Sequence, residues 1–226
     1  MNTIKPRFYG FMSTWLYLPI SELLKEWRKF SRKLRRKKIA IQQETKLEKI
    51  SWIKCTNHYF TSVWESHKAD GNVRLSEVGI INTFARNCED FTNLFEIGTF
   101  DGRTTLNLAF SSPENCKVFT LDLKKEMLTE YNLDNGEKRY VDKESSGERI
   151  KPYKDSNNLI AKKIEQIYDD SATFDFSTFY DTCSLVFVDG SHVYDYVLSD
   201  SLNAIKMVNN GGVILWHDYG IWDGVT

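Results

Sequence analysis

A glycine-containing turn after a short apolar run constrains the fold more than any other feature of this chain. The pair Leu94-Phe95 leads into Glu96, and two glycines follow four residues apart, at Gly98 and Gly102. Because glycine lacks a Cβ and tolerates positive φ, a strand ending in such a turn lets a ligand approach its backbone. A helix that follows points its free N–H groups towards that ligand. The pattern predicts a strand–turn–helix unit with a ligand at the turn.

The spacing of the glycines limits the kind of ligand. A dinucleotide fingerprint needs three glycines, and a triphosphate loop needs a Gly-Lys-Ser/Thr element. The stretch from Glu96 to Thr105 has only two glycines and no such element. A nucleoside ligand without phosphates suits this turn better, and S-adenosylmethionine is the common one. A nicotinamide-dependent oxidoreductase is the second hypothesis, and the missing third glycine argues against it.

From residue 77 onward, predicted strands alternate with predicted helices. We expect strands at 94–97, 117–121, 165–168, 185–188 and 213–216, and helices over 77–87, 103–110, 158–164 and 195–208. Such alternation implies a parallel sheet with right-handed crossovers. The polar stretch 123–158, called the insertion below, shows no clear pattern.

Two later motifs accompany the glycine turn: Asp189-Gly190-Ser191-His192 and the nonapeptide from Gly211 to Tyr219. The turn resembles the first motif of class I S-adenosylmethionine-dependent methyltransferases. The later motifs are similar to those of the small-molecule O-methyltransferase branch, which includes macrocin-type and catechol-type enzymes and methyltransferase family 24. The resemblance covers residues 75–226. It implies an α/β fold with a Rossmann-like, doubly wound, mostly parallel sheet.

The same resemblance implies where the cofactor would bind. Asp122 ends the second strand, 26 residues after Glu96, and is placed to accept hydrogen bonds from ribose hydroxyls. The pair Asp170-Ser171 would face the adenine edge, and Glu96 would orient the loop and the ligand's ammonium. A helix cap at Asp122 and an ordinary Asp-Ser turn are the alternatives. The predicted cofactor-binding residues are Glu96, Gly98, Thr99, Phe100, Gly102, Asp122, Asp170, Ser171 and Asp189.

A divalent metal is predicted at two neighbouring strand ends. Asp189 ends the fourth strand, and His217-Asp218 end the fifth. Catechol-type and macrocin-type enzymes hold a cation with acidic or amide residues at these places. The sequence departs from that pattern at His217, where an acid is usual; carboxylates suit Mg²⁺, and a histidine shifts the preference towards Mn²⁺, Fe²⁺ or Zn²⁺. Acidic strand ends that only cap helices are the alternative.

His192 is the predicted catalytic residue. It lies three residues after Asp189, and in catechol-type enzymes a basic residue at that offset takes the proton of the accepting hydroxyl. An imidazole titrates near neutrality and suits this role; a metal ligand or a supporting group is the alternative. The implied reaction is metal-assisted O-methylation of a small hydroxylated acceptor such as a sugar, polyketide or phenol. A non-catalytic cofactor-binding or membrane-associated protein of the same fold is the other possibility.

The first part of the chain differs in charge from the rest. Residues 1–50 hold 13 Lys and Arg against 4 Glu, a net charge of +9, while the remainder has a net charge of −10. We predict a basic, aromatic, helical arm over 1–56 and a methyltransferase domain over 57–226. The arm could pack on its own domain, join two subunits of a homo-oligomer, or dock on an anionic membrane surface. Nucleic acid is not an expected partner, because a basic tail alone provides no base recognition.

The remaining expectations concern location and extent. The apolar run over 8–20 is too short for a spanning helix, which needs about 20 residues, and no signal-peptide cleavage site follows it. The four scattered cysteines indicate reduced thiols. A cytoplasmic protein is therefore expected, with peripheral attachment to the membrane through the arm as the alternative. Class I methyltransferases continue beyond the fifth strand with a helix and two more strands, so we expect this chain to lack those strands and to be a fragment; completion of the sheet edge by another chain is the alternative.

Overall fold

Five parallel strands form the centre of the protein in the computed structural model, which describes residues 50–57, 60–64, 73–134, 136–141 and 146–226. Residues 1–49, which make up most of the predicted arm, lie outside this description. The strands are β1 (Asn93–Ile97), β2 (Lys117–Asp122), β3 (Ile164–Tyr168), β4 (Cys183–Val188) and β5 (Val208–Trp216). Their spatial order is β3-β2-β1-β4-β5, and every neighbouring pair is parallel. This order confirms the predicted Rossmann-like sheet. β2 and β3 are added on one side of β1, and β4 and β5 on the other, so the order of the strands reverses between β1 and β4.

Six α-helices connect or flank these strands in the described residues. They are α1 (Leu75–Arg86), α2 (Arg103–Ser111), α3 (Lys138–Val141), α4 (Lys151–Asp155), α5 (Leu159–Lys162) and α6 (Tyr194–Met207). Two short 3-10 turns lie at Trp52–Cys55 and Phe176–Phe179. None of the described helices is long and apolar enough to cross a membrane.

The sequence placed the start of β5 too late. β5 begins at Val208, which pairs with Cys183, and the ladder resumes where Val213 pairs with Leu185. The intervening Asn-Asn-Gly-Gly stretch has a positive φ at Gly211. A bulge of this kind keeps a strand paired through residues that have low strand propensity, which explains why the sequence pattern missed it.

Alternating side chains of the strands build two apolar cores, one on each face of the sheet. Leu94 packs with α1 and α2 residues such as Val78 and Leu106. Phe95 belongs to the second core, where its ring meets Phe179 edge-to-face at a centroid distance of 4.9 Å. Side chains point alternately to opposite faces of a strand, so both faces of β1 are covered. This packing fixes the strand ends that carry the site.

Candidate active site

The glycine turn after β1 has a left-handed backbone at three positions. Gly98 has φ 98°, Phe100 has φ 49° and Gly102 has φ 90°. A Cβ at Gly98 would overlap the carbonyl oxygen of Asp189, at the end of the adjacent strand β4. The sequence assigned Gly98 to ligand approach alone. The structure adds a second reason, because only glycine lets the ends of β1 and β4 come this close.

Gly102 has a different neighbour from the one predicted. It does not line the cleft described below, and a Cβ there would lie 2.7 Å from Cγ1 of Ile150. Ile150 belongs to a short segment of the insertion, residues 146–150, which we call the strap. Gly102 therefore makes room for the strap, and its contact with a ligand stays a prediction.

The strap is bonded directly to the glycine turn. The Gly147 N–H donates to the Phe100 carbonyl at 2.7 Å, and the Arg149 N–H donates to the Asp101 carbonyl at 3.0 Å. The Arg149 Nε lies 2.7 Å from Asp101 Oδ2, and the two side chains are 14% and 3% exposed. Part of the insertion thus holds the turn in place, a role that no sequence pattern predicted.

Glu96 is directed into the protein interior. It is buried, and its Oε2 accepts from the Thr120 hydroxyl at 2.7 Å and from the Thr105 hydroxyl. Burial raises the pKa of Glu96 to about 8. Glu96 does not line the cleft, and its contact with a ligand ammonium stays a prediction. Its hydrogen bonds join β1 to β2 and to α2.

A cleft opens along the carboxyl ends of the strands, where open α/β sheets bind ligands. It encloses about 1100 Å³, including the space at its mouth. Nine of the predicted site residues line it: Gly98, Thr99, Phe100, Asp122, Asp170, Ser171, Asp189, His192 and Asp218. The lining residues that the sequence did not predict include four with titratable or aromatic side chains, Glu137, Tyr140, Asp169 and Tyr196.

Asp122 has a fixed carboxylate at the end of β2. Its Oδ2 accepts from the Phe100 N–H at 2.7 Å and from the Ser146 hydroxyl at 2.8 Å, and its Oδ1 accepts from the Leu123 N–H at 2.8 Å. Burial raises the pKa of Asp122, and these hydrogen bonds oppose the rise. The carboxylate is therefore oriented before any ligand arrives, and it lines the cleft.

Asp170 follows β3, and its carboxylate oxygens accept hydrogen bonds from other parts of the protein. It accepts from the Glu130 N–H at 2.6 Å, from the Tyr196 hydroxyl at 2.9 Å and from the Ala172 N–H at 3.0 Å. These bonds tie the loop after β3 to the insertion and to α6. The neighbouring Ser171 also lines the cleft.

His192 lies between two carboxylates. Its Nδ1 is 2.7 Å from Glu137 Oε1, and its Nε2 is 2.9 Å from Asp218 Oδ2. The same Oε1 of Glu137 accepts from the His192 backbone N–H at 2.5 Å. Burial lowers the pKa of His192, but the hydrogen bonds to Asp218 and Glu137 outweigh it and raise the pKa to about 9. Glu137 comes from the insertion, and the polar sequence of that segment did not predict its contact with His192.

The three predicted metal ligands do meet at the ends of β4 and β5. His217 Nδ1 lies 3.1 Å from Asp189 Oδ1 and 3.4 Å from Asp218 Oδ2. This buried nitrogen has no well-formed hydrogen bond. Over the described ranges, no group of three or more His, Cys, Asp or Glu side chains is arranged to hold a metal ion as it stands. The side chains pair with one another, and metal binding stays a prediction.

The chain belongs to methyltransferase family 24. The profile of this family, described as a methyltransferase domain, matches residues 95–219. The match covers the glycine turn, the cleft and both later motifs, and it favours a methyltransferase over a nicotinamide oxidoreductase. No protein among the curated sequences matches the chain.

Solved structures with a similar course of the chain are distant in sequence. A protein from Corynebacterium glutamicum has 12% identity and a TM-score of 0.47, with 66% of this chain and 60% of that chain covered. The O-methyltransferase TomG from Streptomyces achromogenes, in complex with S-adenosylmethionine, has 17% identity and a TM-score of 0.44, with 64% and 56% covered. Cofactor-bound Rv0187 from MTB has the same four values. This chain thus spans about 60% or less of the length of these proteins.

Proposed function

We propose that this protein is an S-adenosylmethionine-dependent methyltransferase that acts on a hydroxyl group of a small molecule. The observation that carries the proposal is that one cleft contains both the glycine turn with Asp122 and the His192 cluster at β4 and β5. Along the sheet edge these groups follow the strand order, from Asp122 on β2 to Asp218 after β5. Three strand spacings separate β2 from β5, about 15 Å. Family membership supplies the methyltransferase part of the proposal.

In this proposal, three elements of the cleft contact three different parts of the cofactor. Asp122 accepts hydrogen bonds from the ribose hydroxyls, and the loop from Gly98 to Phe100 lies against the central part of the ligand. The Asp170-Ser171 loop faces the adenine. When bound, S-adenosylmethionine supplies a methyl group on a positively charged sulfonium, so the protein's main tasks are to position the acceptor and remove its proton.

His192 takes the proton of the acceptor hydroxyl in this proposal. Both ring nitrogens now face carboxylates, so the ring is protonated at neutral pH and cannot yet act as a base. The acceptor hydroxyl has to replace Asp218 at Nε2. Loss of that carboxylate contact lowers the pKa of His192 towards neutrality. Glu137 keeps Nδ1 protonated, which leaves Nε2 as the accepting nitrogen.

We further propose that Asp189, His217 and Asp218 would hold a divalent metal ion. One imidazole nitrogen lies within 3.4 Å of two carboxylate oxygens, so a divalent cation would take the place of the ring proton that these carboxylates stabilise. One imidazole and two carboxylates favour Mn²⁺, Fe²⁺ or Zn²⁺ over Mg²⁺. A bound cation supplies a field that acidifies a coordinated hydroxyl.

The activity test combines cofactor binding with turnover. The thermal shift of the full chain is measured with S-adenosylmethionine, S-adenosylhomocysteine and NAD, followed by formation of S-adenosylhomocysteine with a panel of sugars, polyketides and phenols. Stabilisation by the first two ligands and acceptor-dependent turnover are expected. Stabilisation by NAD alone would refute the proposal, and cofactor binding without turnover in a full-length protein would favour a non-catalytic binding protein.

A role of the basic arm in self-association or in binding an anionic membrane surface is a separate proposal. It rests on the charge of +9 over residues 1–50, and these residues lie almost entirely outside the described ranges. Deletion of residues 1–50 is expected to reduce sedimentation with anionic vesicles or the oligomer size, with cofactor affinity unchanged. Loss of cofactor binding on deletion would make the arm part of the catalytic domain.

A further inference from the structure

Glu77, in the first turn of α1, is an acid outside the cleft that contacts one of the predicted metal ligands. Its Oε2 lies 3.4 Å from Nε2 of His217, a residue 140 positions later in the chain. The His217 side chain is 8% exposed and that of Glu77 is 33% exposed, so the contact runs from the surface of α1 into the protein interior. The proposed mechanism gives Glu77 no role.

The His217 ring has a different carboxylate at each of its nitrogens. Nδ1 faces Asp189 and Asp218 at the strand ends, whereas Nε2 faces Glu77. The ring also meets the Phe187 ring at a centroid distance of 6.3 Å and an interplanar angle of 76°. The aromatic contact limits the plane of the imidazole, and the carboxylates decide which edge of it points to the strand ends.

A half-turn of the ring about its Cβ–Cγ bond would exchange each nitrogen with a carbon. Cδ2 would then face Asp189, and Cε1 would face Glu77. A C–H group is a much weaker donor than an N–H group, so Glu77 opposes this half-turn. In the proposed metal site Nδ1 carries no proton, and Glu77 is then the carboxylate that accepts from the remaining ring proton on Nε2.

The Glu77 carboxylate is itself held in place by the start of α1. Its Oε2 accepts from the Arg74 backbone N–H at 2.6 Å, which completes a capping box. The positive end of the helix dipole favours a carboxylate at this position. Glu77 therefore presents a fixed acceptor to His217, although it lies at the surface.

We propose that Glu77 is a positioning residue for the metal site: it accepts the hydrogen bond of the His217 Nε2–H and thereby directs Nδ1 towards Asp189 and Asp218. This inference rests on the metal ion proposed above for those three residues. A carboxylate behind a histidine ligand fixes the orientation of the ring and makes it a stronger ligand. Through this contact α1 supports the site, although none of its residues lines the cleft.

Calorimetry with Zn²⁺ alone and the full chain tests the role of Glu77. Glu77→Ala is expected to weaken binding by about ten- to a hundredfold, the usual effect of losing such a carboxylate. Glu77→Gln keeps an acceptor oxygen for both the ring and the helix cap, and we expect it to recover most of the affinity. Glu89→Ala, at an exposed position beyond the end of α1, is the matched control and should bind as the wild type does.

Two further measurements separate orientation of the ring from capping of the helix. Loss of the cap alone lowers the melting temperature and leaves the Zn²⁺ affinity of the folded protein unchanged. NMR of the imidazole nitrogens in the Zn²⁺-loaded wild type is expected to show His217 bound through Nδ1, with a slowly exchanging proton on Nε2. This spectrum needs no variant, so it decides the question even if Glu77→Ala does not fold.

Two results would overturn this inference alone: wild-type Zn²⁺ affinity in a folded Glu77→Ala variant, or binding of Zn²⁺ through Nε2 of His217. A wild-type protein that binds no Zn²⁺ would overturn the proposed metal site and this inference with it. The proposed cofactor site would be untouched by either result, because it lies at other strand ends.

Discussion

The Nδ1 atom of His192 lies 2.7 Å from Oε1 of Glu137, a residue 55 positions earlier in the chain. This contact joins the loop after β4 to the insertion, and Glu137 also accepts from the Ser191 hydroxyl at 2.9 Å. The Glu137 carboxylate thus bonds to the ring of His192, the proposed base, to its backbone N–H and to the hydroxyl of the neighbouring Ser191. Through this residue the insertion contributes to the lining of the cleft.

Glu137→Ala is expected to lower kcat by about ten- to a hundredfold and to leave the KM for S-adenosylmethionine unchanged. The expected loss is smaller than the 10²–10⁴-fold loss on removing the base itself, because His192 remains but loses its fixed orientation. Glu137→Gln, which keeps an acceptor oxygen, should recover part of the rate. Initial-rate kinetics with Glu130→Gln, an exposed acid of the same insertion, provide the control. Equal kcat in Glu137→Ala and wild type would remove Glu137 from the mechanism.

Asp122→Ala is expected to weaken binding of S-adenosylmethionine by about 1.5–3 kcal/mol, the value of hydrogen bonds to a charged acceptor. Calorimetry at constant pH measures the change, with circular dichroism to show that the variant is folded. Asp155→Ala, an exposed acid on α4, should bind as the wild type does. Unchanged affinity in a folded Asp122→Ala variant would rule out the ribose contact.

Gly98→Ala is expected to destabilise the fold and to disturb the cleft. The added Cβ would meet the Asp189 carbonyl, and φ at this position is 98°, so both a steric overlap and backbone strain oppose the substitution. The matched control is Gly136→Ala, where an added Cβ has no neighbour within 4 Å and φ is not positive. Thermal unfolding should show a loss of several degrees for Gly98→Ala and almost none for Gly136→Ala. Similar melting temperatures would mean that the two strand ends can separate without cost.

Glu96→Gln is expected to change how stability depends on pH. Burial raises the folded-state pKa of Glu96 to about 8, above its ordinary value of 4.5. A carboxyl group with a raised pKa supports the fold below the unfolded pKa, and this support is lost as pH rises through the folded pKa. Denaturant unfolding between pH 4.5 and 8 should therefore show a steeper decline in stability for the wild type than for Glu96→Gln. Parallel curves would mean that Glu96 is ionised in the folded protein.

Chelation by EDTA is expected to lower turnover, and Mn²⁺ or Fe²⁺ is expected to restore it better than Mg²⁺. Asp189→Asn and His217→Ala should abolish binding of the metal ion, measured by calorimetry with the metal alone. Their affinity for S-adenosylmethionine should change little, since the ribose contact lies on β2. Full activity in EDTA would leave proton removal to His192 and its carboxylates.

Local patterns in the sequence determined the fold and the strand ends that carry the chemistry. Apolar runs alternating with amphipathic stretches predicted five parallel strands, and parallel strands place their carboxyl ends along one edge. For that reason Asp122, Asp189, His192 and Asp218 were expected near one another, and the structure places them in one cleft.

Tertiary structure alone decided which neighbour each of these residues has. Glu137 and the strap come from a polar insertion without periodicity. No sequence pattern therefore predicts that Glu137 contacts His192 or that the strap contacts the glycine turn. Glu96 is the penultimate residue of β1, next to the site, but its carboxylate accepts hydrogen bonds from Thr120 and Thr105 in the protein interior. Gly98 was recognisable as a turn residue, but its contact with Asp189 depends on the pairing of β1 with β4. The sequence records local conformation and burial, whereas contacts between distant segments depend on packing in three dimensions.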